Sequence, residues 1–381
     1  MMRGLVSAMK PPRRRPRDIS PGRAVGAAVD IGLRDYGSPP GANKAAGWGR
    51  SATRPTMVAM ADTTTTAPGA GTVGGLAGLT ARLPRVSPRA FRVVAAAAVW
   101  ALAVTIVSGA AVRLTGSGLG CQDWPNCTAT GVVAPLQFHA WVEFGNRLIN
   151  AAVSLASIGA LAAALLRSPR RRDLTWLSAG LVVGLFAEVV MGALVVYYKL
   201  APALVSAHFL LGLAFLAVAV VLYERAGIHD EAAEPRPLVD RSTIVLSRLL
   251  LIATAAVVTL GTIVTSTGPH GGDPTAQRFR LSLHSVAQLH GTSVEIFLVV
   301  TVVALWNLAR TGAPRPVIKR AQLLLGALVL QAVIGYIQYF NGDPVGLVAV
   351  HVAGAALVII AVIHFYAGLW ARAARPVRAG S

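Results

Sequence analysis

The most regular feature of this chain is a series of long apolar segments separated by short polar ones. Eight of them reach the length of about 20 residues that an α-helix needs to cross a bilayer. The segment 148–166 has no charged side chain at all. The pattern therefore predicts an all-α integral membrane protein with eight transmembrane helices. The predicted spans lie near residues 91–112, 139–166, 174–197, 203–224, 243–265, 283–308, 317–339 and 345–371.

The second half of this pattern repeats the first. The segment EVVMGALVVYYKLAPALVSAHF, from Glu188, aligns with QAVIGYIQYFNGDPVGLVAVHV, from Gln331, and the separation of 143 residues pairs His208 with His351. A weaker match aligns residues 108–118 with 260–270. Halves that each cross the membrane four times have the same orientation, as in other parallel repeats. We therefore expect two pseudo-symmetric four-helix bundles.

Charge and composition predict how the chain is divided and oriented. Residues 1–88 are rich in Pro, Gly and Arg, a composition that cannot bury enough apolar surface to fold alone. The net charge of +19 does not indicate a nucleic-acid partner, because Lys and Arg lie in this segment and in linkers after even-numbered spans. Such linkers stay in the cytoplasm, so we expect a multi-pass protein of the cell membrane, within the lipid bilayer and with both termini cytoplasmic. The predicted parts are a disordered basic cytoplasmic extension (1–88), a first bundle (89–226), a cytoplasmic linker (227–242), a second bundle (243–372) and a cytoplasmic tail (373–381).

Five of the eight histidines lie near the predicted outer ends of spans: His139, His208, His284, His290 and His351. A single membrane histidine usually bonds a neighbouring helix, but histidines at one depth on facing helices can ligate a heme iron. His290 and His351 supply such a pair in the second bundle. In the first bundle His208 has its counterpart, whereas the position that corresponds to His290 is Asn146, and an amide is a poor iron ligand. This asymmetry predicts an open coordination position, suited to chemistry, beside a two-histidine site suited to electron transfer.

Acidic side chains inside apolar spans are functional candidates by default. Glu143 lies three residues before Asn146 and on the same helical face; it either serves the site or forms an i,i+4 ion pair with Arg147. His139 is a second candidate for the missing ligand, although it lies about 10 Å along the helix from Asn146. Two other acids have no acidic counterpart in the other half, and we expect them to be paired locally: Glu188 and Glu295.

The loop VRLTGSGLGCQDWPNC, residues 112–127, holds both cysteines of the chain. It follows a predicted helix, so its glycines lack the preceding strand that a nucleotide-binding motif requires. They are more typical of tight turns close to a cofactor. Together with HAWVEFGNR (139–147), ALVSAHF (203–209) and VAVH (348–351), this loop closely resembles the heme A synthases, and the similarity extends over about residues 90–371.

That resemblance implies an oxidoreductase that converts the C8 methyl of heme O to a formyl group. Two hydroxylations, with water as the expected oxygen source, give a gem-diol that loses water, and the product is heme A for terminal oxidases. The resemblance also implies a resident heme b in the second bundle. The expected partners are heme O, a heme O synthase, the terminal oxidase assembly and further copies of the chain.

The resemblance also assigns individual residues. It implies that Glu143 assists catalysis and that three histidines bind heme iron: His208, His290 and His351. Asn146 stands where many members have a fourth histidine, a feature that resembles actinobacterial members. Cys121 and Cys127 match an outer-loop pair, and an oxidising compartment favours a disulfide between them. A structural staple and a redox-active pair both remain open as roles for these cysteines.

Two other classes of protein make different predictions. A di-heme membrane cytochrome that exchanges electrons with quinol requires equal ligation in both bundles, which Asn146 argues against. A transporter favours broken helices and polar residues at the membrane midplane. The spans of this chain are continuous, and their polar groups lie near the predicted outer edge.

Overall fold

The computed structural model describes residues 85–121, 123–129, 131–230 and 235–371. Eight helices of this part are long and apolar enough to cross a membrane, which confirms the predicted all-α membrane fold. They are α1 (Pro88–Leu114), α2 (Phe138–Leu166), α3 (Arg172–Tyr197), α4 (Pro202–Ala226), α5 (Arg241–Thr267), α6 (Leu283–Arg310), α7 (Arg315–Phe340) and α8 (Val345–Ala367). A short antiparallel ladder joins β1 (Arg236–Pro237) to β2 (Trp370–Ala371). The predicted extension 1–88, apart from 85–88, and the predicted tail 373–381 lie outside the described residues.

The helices of each half pack in the same order. In the first half α1 contacts α2, α2 contacts α3, α3 contacts α4, and α4 returns to α1; α5 to α8 repeat this order. The halves meet where α8 packs against α1 and α4, and where α4 packs against α5. This packing agrees with two adjacent four-helix bundles. The symmetry between them and the proposed domain limits stay predictions.

Backbone hydrogen bonds and an ion pair connect the first and last described segments of the chain at one end of the helices. Before α1, Val86 donates to the carbonyl of Leu166 at 3.0 Å and accepts from Ser168 at 3.1 Å, both at the end of α2. After α4, Asp230 pairs with Arg167 at 2.7 Å. The β1–β2 ladder then joins the α4–α5 linker to the segment after α8. The segments before α1 and after α2, α4 and α8 therefore share one end, as an even number of crossings requires.

Much of the outer surface is apolar. In the most apolar window of each helix, between 11% and 28% of residues are buried inside the protein. Large side chains such as Trp100, Trp176 and Trp306 are 67%, 77% and 59% exposed. A surface of this kind is unfavourable in water and is stabilised in lipid.

Asp240 caps α5 and connects it to α6. Its carboxylate accepts hydrogen bonds from the backbone N–H groups of Ser242 (3.2 Å) and Thr243 (3.4 Å), and from the amide of Asn307 at 3.1 Å. The hydroxyls of Ser242 and Thr243 also donate to it. These donors hold the pKa of the Asp240 carboxyl well below its usual value, because they stabilise the ionised form.

Removing this cap is expected to lower stability in a pH-dependent way. The D240A variant should lose about 1 kcal/mol at neutral pH, the usual effect of losing an N-cap. Because the folded-state pKa of Asp240 is depressed, its contribution is present above the unfolded-state pKa of about 3.9 and is lost as the pH falls towards the folded value. Thermal unfolding in detergent between pH 7 and pH 3 measures both effects. D240N, which retains a capping oxygen, should lie closer to wild type at neutral pH; equal midpoints for wild type and D240A would contradict the assignment.

Candidate functional site

The second half brings two histidines together across a helix interface. The ring centroids of His290, on α6, and His351, on α8, lie 6.4 Å apart, and their planes are inclined by 78°. Two imidazoles that bind one metal ion from opposite sides should have centroids roughly 6.4 Å apart, given a metal–nitrogen distance of about 2.0 Å and about 1.2 Å from nitrogen to ring centre. The Nδ1 of His290 donates to the carbonyl of Val257 at 3.1 Å, which leaves Nε2 free, as is usual in metal-binding histidines. This pair fits the two axial positions of a heme iron.

Each of the three predicted ligand histidines lies against a glycine of a neighbouring helix. A Cβ built on the glycine would approach the ring Cε1 in each case: 3.7 Å for Gly192 and His208, 3.1 Å for Gly261 and His290, and 3.1 Å for Gly335 and His351. The absence of a side chain therefore makes room for the ring. Gly109 aligns with Gly261 in the sequence repeat, but a Cβ there would have no neighbour within 4 Å in the described part of the chain.

The space beside Gly109 corresponds to the change from histidine to asparagine. Asn146 is half-buried on α2, and its Oδ1 accepts a hydrogen bond from the Ser108 hydroxyl at 2.7 Å. The amide is thus bonded to α1, next to Gly109, and no imidazole of the described residues lies against Gly109 as His290 lies against Gly261. The described residues of the first half therefore provide one histidine at a position equivalent to a predicted ligand of the second half, namely His208.

Glu143 is buried beneath the cysteine loop, with 6% of its surface exposed. One carboxylate oxygen accepts from the backbone N–H of Cys121 at 2.8 Å, and the other pairs with Arg147 at 2.7 Å. The i,i+4 ion pair considered from the sequence is therefore present. It does not exclude a catalytic role, because a nearby guanidinium and a backbone donor both favour the charged form of a carboxylate.

The loop itself is closed by a disulfide between Cys121 and Cys127, as expected. Arg147 donates to three of its carbonyl groups, those of Asp123, Pro125 and Asn126. Gly120 packs so closely on α2 that a Cβ there would lie 2.3 Å from the carbonyl oxygen of His139. These contacts explain one of the loop's glycines and fix the loop directly over the first turns of α2.

Four of the remaining histidines have polar partners within the described residues. His139 is exposed, and its Nδ1 lies 2.9 Å from the hydroxyl of Ser117, so the structure ties this candidate ligand to the cysteine loop. The partners of the others are Tyr339 for His284 (2.9 Å), the Asp343 carbonyl for His270 (2.8 Å) and Glu224 for His364 (2.6 Å). Glu295 accepts from the Tyr336 hydroxyl at 2.7 Å, which agrees with the expected local pairing.

The structure places Glu188 beside a candidate ligand, which the sequence did not predict. Its Oε2 lies 2.8 Å from Nδ1 of His208, on the next helix. The expected local partner of Glu188 is therefore a candidate iron ligand. The sequence repeat already contained this difference between the halves. The counterpart of Glu188 is the neutral Gln331, whereas the counterpart of His208 is another histidine, His351.

The fold and these side chains define a class: a polytopic α-helical membrane protein with histidines placed unequally in its two halves. The COX15-CtaA family, described as cytochrome oxidase assembly proteins, matches residues 92–139 and 133–269. Over these residues the chain is similar to that family, and relatives that it matches are named heme A synthases.

Individual relatives differ in how much of their length is matched. The heme A synthase of Shewanella oneidensis is 24% identical over 331 residues, which cover 71% of this chain and 96% of the relative. The heme A synthase of Geobacillus kaustophilus is 40% identical over 108 residues, and the match spans 28% of this chain and only 33% of that protein. A protoheme IX farnesyltransferase of Chloroflexus aurantiacus is 27% identical over 273 residues, or 68% of this chain and 44% of the relative.

Proposed function

We propose that this protein is a heme A synthase, which oxidises the C8 methyl of heme O to a formyl group. The observation that carries the proposal is the inequality of the two halves. His290 and His351 lie at the separation of paired axial ligands, whereas Asn146 leaves the corresponding space beside Gly109 open. A di-heme electron carrier needs no such inequality, so this difference favours the enzyme over the cytochrome.

The proposed substrate site lies in the first half. His208 holds the iron of heme O, and Asn146 leaves the opposite coordination position without a histidine. His139 is the alternative candidate for a ligand at that position. It ranks below Asn146 as the residue facing the iron, because its Nδ1 contacts Ser117 in the loop. The oxidised loop covers the first turns of α2 and helps to exclude bulk water from this end of the site.

Glu143 is the proposed catalytic carboxylate. It contacts Arg147 and the Cys121 N–H, two groups that favour a carboxylate's charged form, and it lies on the helix face that carries Asn146. This charge can stabilise positive charge that develops at the methyl carbon, or accept a proton from an attacking water. With water as the oxygen source, conversion of the methyl to the formyl consumes one water and releases four protons and four electrons.

The resident cofactor implied by the family is heme b, and His290 and His351 fit its axial ligation. When bound, it supplies one-electron transfer. The hydrogen bond from His290 to the Val257 carbonyl orients that ring, and Gly261 and Gly335 leave room for both imidazoles.

The proposed setting is the cell membrane, with both termini and the loops that follow even-numbered helices in the cytoplasm. The basic residues of these loops support this orientation. The Chloroflexus relative is named a protoheme IX farnesyltransferase, and only 44% of its length is matched, which supports a functional link with the enzyme that makes heme O. Supply of heme A to terminal oxidase assembly, self-association and membership of an actinobacterial branch are further predictions.

Co-expression with a heme O synthase tests the proposed function. Purified protein should contain heme, and chromatography of extracted pigments should show heme A only when both proteins are present. Cells that express the heme O synthase without this protein should accumulate heme O, and they serve as the control. Purified protein with heme but no heme A product would favour the electron carrier, and protein without absorbance in the Soret region would remove both heme proposals.

A further inference from the structure

Glu188 is an acidic side chain in the membrane-spanning part of α3. Its side chain is 18% exposed, and its Oε2 lies 2.8 Å from Nδ1 of His208, whose side chain is 38% exposed. Gly212, one turn after His208 on α4, leaves space for the other oxygen: a Cβ there would lie 3.8 Å from Oε1. In the described residues Glu188 forms no ion pair with Lys or Arg. A carboxylate at membrane depth is unfavourable unless a partner compensates its charge, and the partner here is an imidazole.

The contact leaves hydrogen-bonding capacity unused. His208 Nδ1 and Glu188 Oε1 are both buried and have no aligned hydrogen-bond partner in the described residues. The 2.8 Å approach of Oε2 is therefore an electrostatic contact, with the oxygen off the direction of the ring N–H. A histidine that binds a metal through Nε2 carries its proton on Nδ1. That is the atom that Glu188 approaches.

The second half provides an internal comparison. The counterpart of Glu188 is Gln331, and its Nε2 donates to the backbone carbonyl of His351 at 2.8 Å. The Nδ1 of His351 is buried without a partner in the described residues, and that of His290 donates to a neutral backbone carbonyl. Among these three imidazoles, His208 therefore has the only carboxylate beside Nδ1 within the described part of the chain.

We propose that Glu188 is a positioning residue whose carboxylate attracts the Nδ1 proton of His208 electrostatically and makes this imidazole a more electron-rich iron ligand than those of the second half. The inference rests on the proposed function, because it assigns His208 to the substrate heme. A carboxylate behind a ligand histidine fixes its tautomer and raises its basicity. An electron-rich axial ligand favours the higher oxidation state of iron, which suits the half in which the substrate is oxidised.

The test compares E188Q, E188D and the reciprocal Q331E in the full-length protein, with hemin as the probe. E188Q should weaken binding of one of two hemins by about 10–100-fold, the usual loss when the group behind a ligand histidine is changed. It should also raise the midpoint potential of that heme and lower its iron–histidine stretching frequency in resonance Raman spectra. E188D should recover part of each change, and Q331E should lower the potential of the other heme. H351A identifies which spectral component belongs to the second half.

E295Q is the matched control, because it neutralises another membrane carboxylate that is paired with Tyr336 rather than with a histidine. It should leave both hemin affinities unchanged. Equal hemin affinities and Raman frequencies in wild type and E188Q would overturn the proposal, and so would loss of both hemes from E188Q, since that would indicate a general structural role. A wild-type protein that binds two hemins but makes no heme A would instead contradict the proposed function and leave the assignment of Glu188 standing as a feature of a di-heme protein.

Discussion

Replacing Glu143 with alanine is expected to reduce heme A formation by about 10²–10⁴-fold, the range typical of a lost acid–base group. The carboxylate is buried, contacts Arg147 and the Cys121 N–H, and lies on the α2 face that carries Asn146. Its removal takes away a carboxylate three residues from Asn146, beside the proposed coordination position. The measurement is the ratio of heme A to heme O extracted from protein co-expressed with a heme O synthase.

E143Q separates the charge of Glu143 from its structural contacts. Glutamine keeps an oxygen that can accept from the Cys121 N–H, so the loop should remain in place while the charge is lost. We expect E143Q to be nearly as inactive as E143A, with the same heme content as wild type. Full activity in E143A would remove Glu143 from the mechanism, and activity in E143Q alone would assign the residue to anchoring the loop.

Changing Asn146 to histidine is expected to close the open coordination position in the first half. Gly109 offers the new ring the kind of space that Gly261 gives His290. A ligand within the same chain has a high effective concentration, so it should weaken the binding of added cyanide to the first-half heme by about 100-fold. Absorption spectra of the hemin-loaded protein should show a high-spin component in wild type that becomes low-spin in N146H.

S108A is the matched control for this variant. It removes the hydroxyl that bonds Asn146 but adds no iron ligand, so its spin state and cyanide affinity should stay those of wild type. If N146H and wild type bind cyanide equally, either Asn146 is not at the coordination position or another group already fills it. The cyanide affinity of H139A would then test whether His139 fills that position.

The membrane fold was predictable because the spans are long and apolar, and every predicted end lies within four residues of the observed one. The differences arise from capping and turn residues that hydropathy does not detect. Asp240, for example, starts α5 two residues before the predicted span. The largest difference is at α8, which was predicted to extend to residue 371 but ends at Ala367. Trp370 instead pairs with Pro237 of the α4–α5 linker.

Predictability was lower for contacts between helices. The positions of the histidines along the spans predicted His290 and His351 as a pair, and the structure brings their rings together. The contact between Glu188 and His208 depends on the rotation and depth of α3 relative to α4, which the apolar pattern does not determine. The glycines behind the histidines, such as Gly192, were visible in the repeat, but their role required the direction of each ring. The catalytic and ligand assignments stay predictions.

The packing of α4 against α8 has a consequence for electron flow. His208 lies on the first of these helices and His351 on the second, and packed helices usually have axes about 8–10 Å apart. Groups bound on either side of this interface would exchange electrons by tunnelling across one layer of protein. The exchange rate would then depend on how tightly that layer is packed, and bulky or small substitutions between the two helices would alter it without touching either binding pocket.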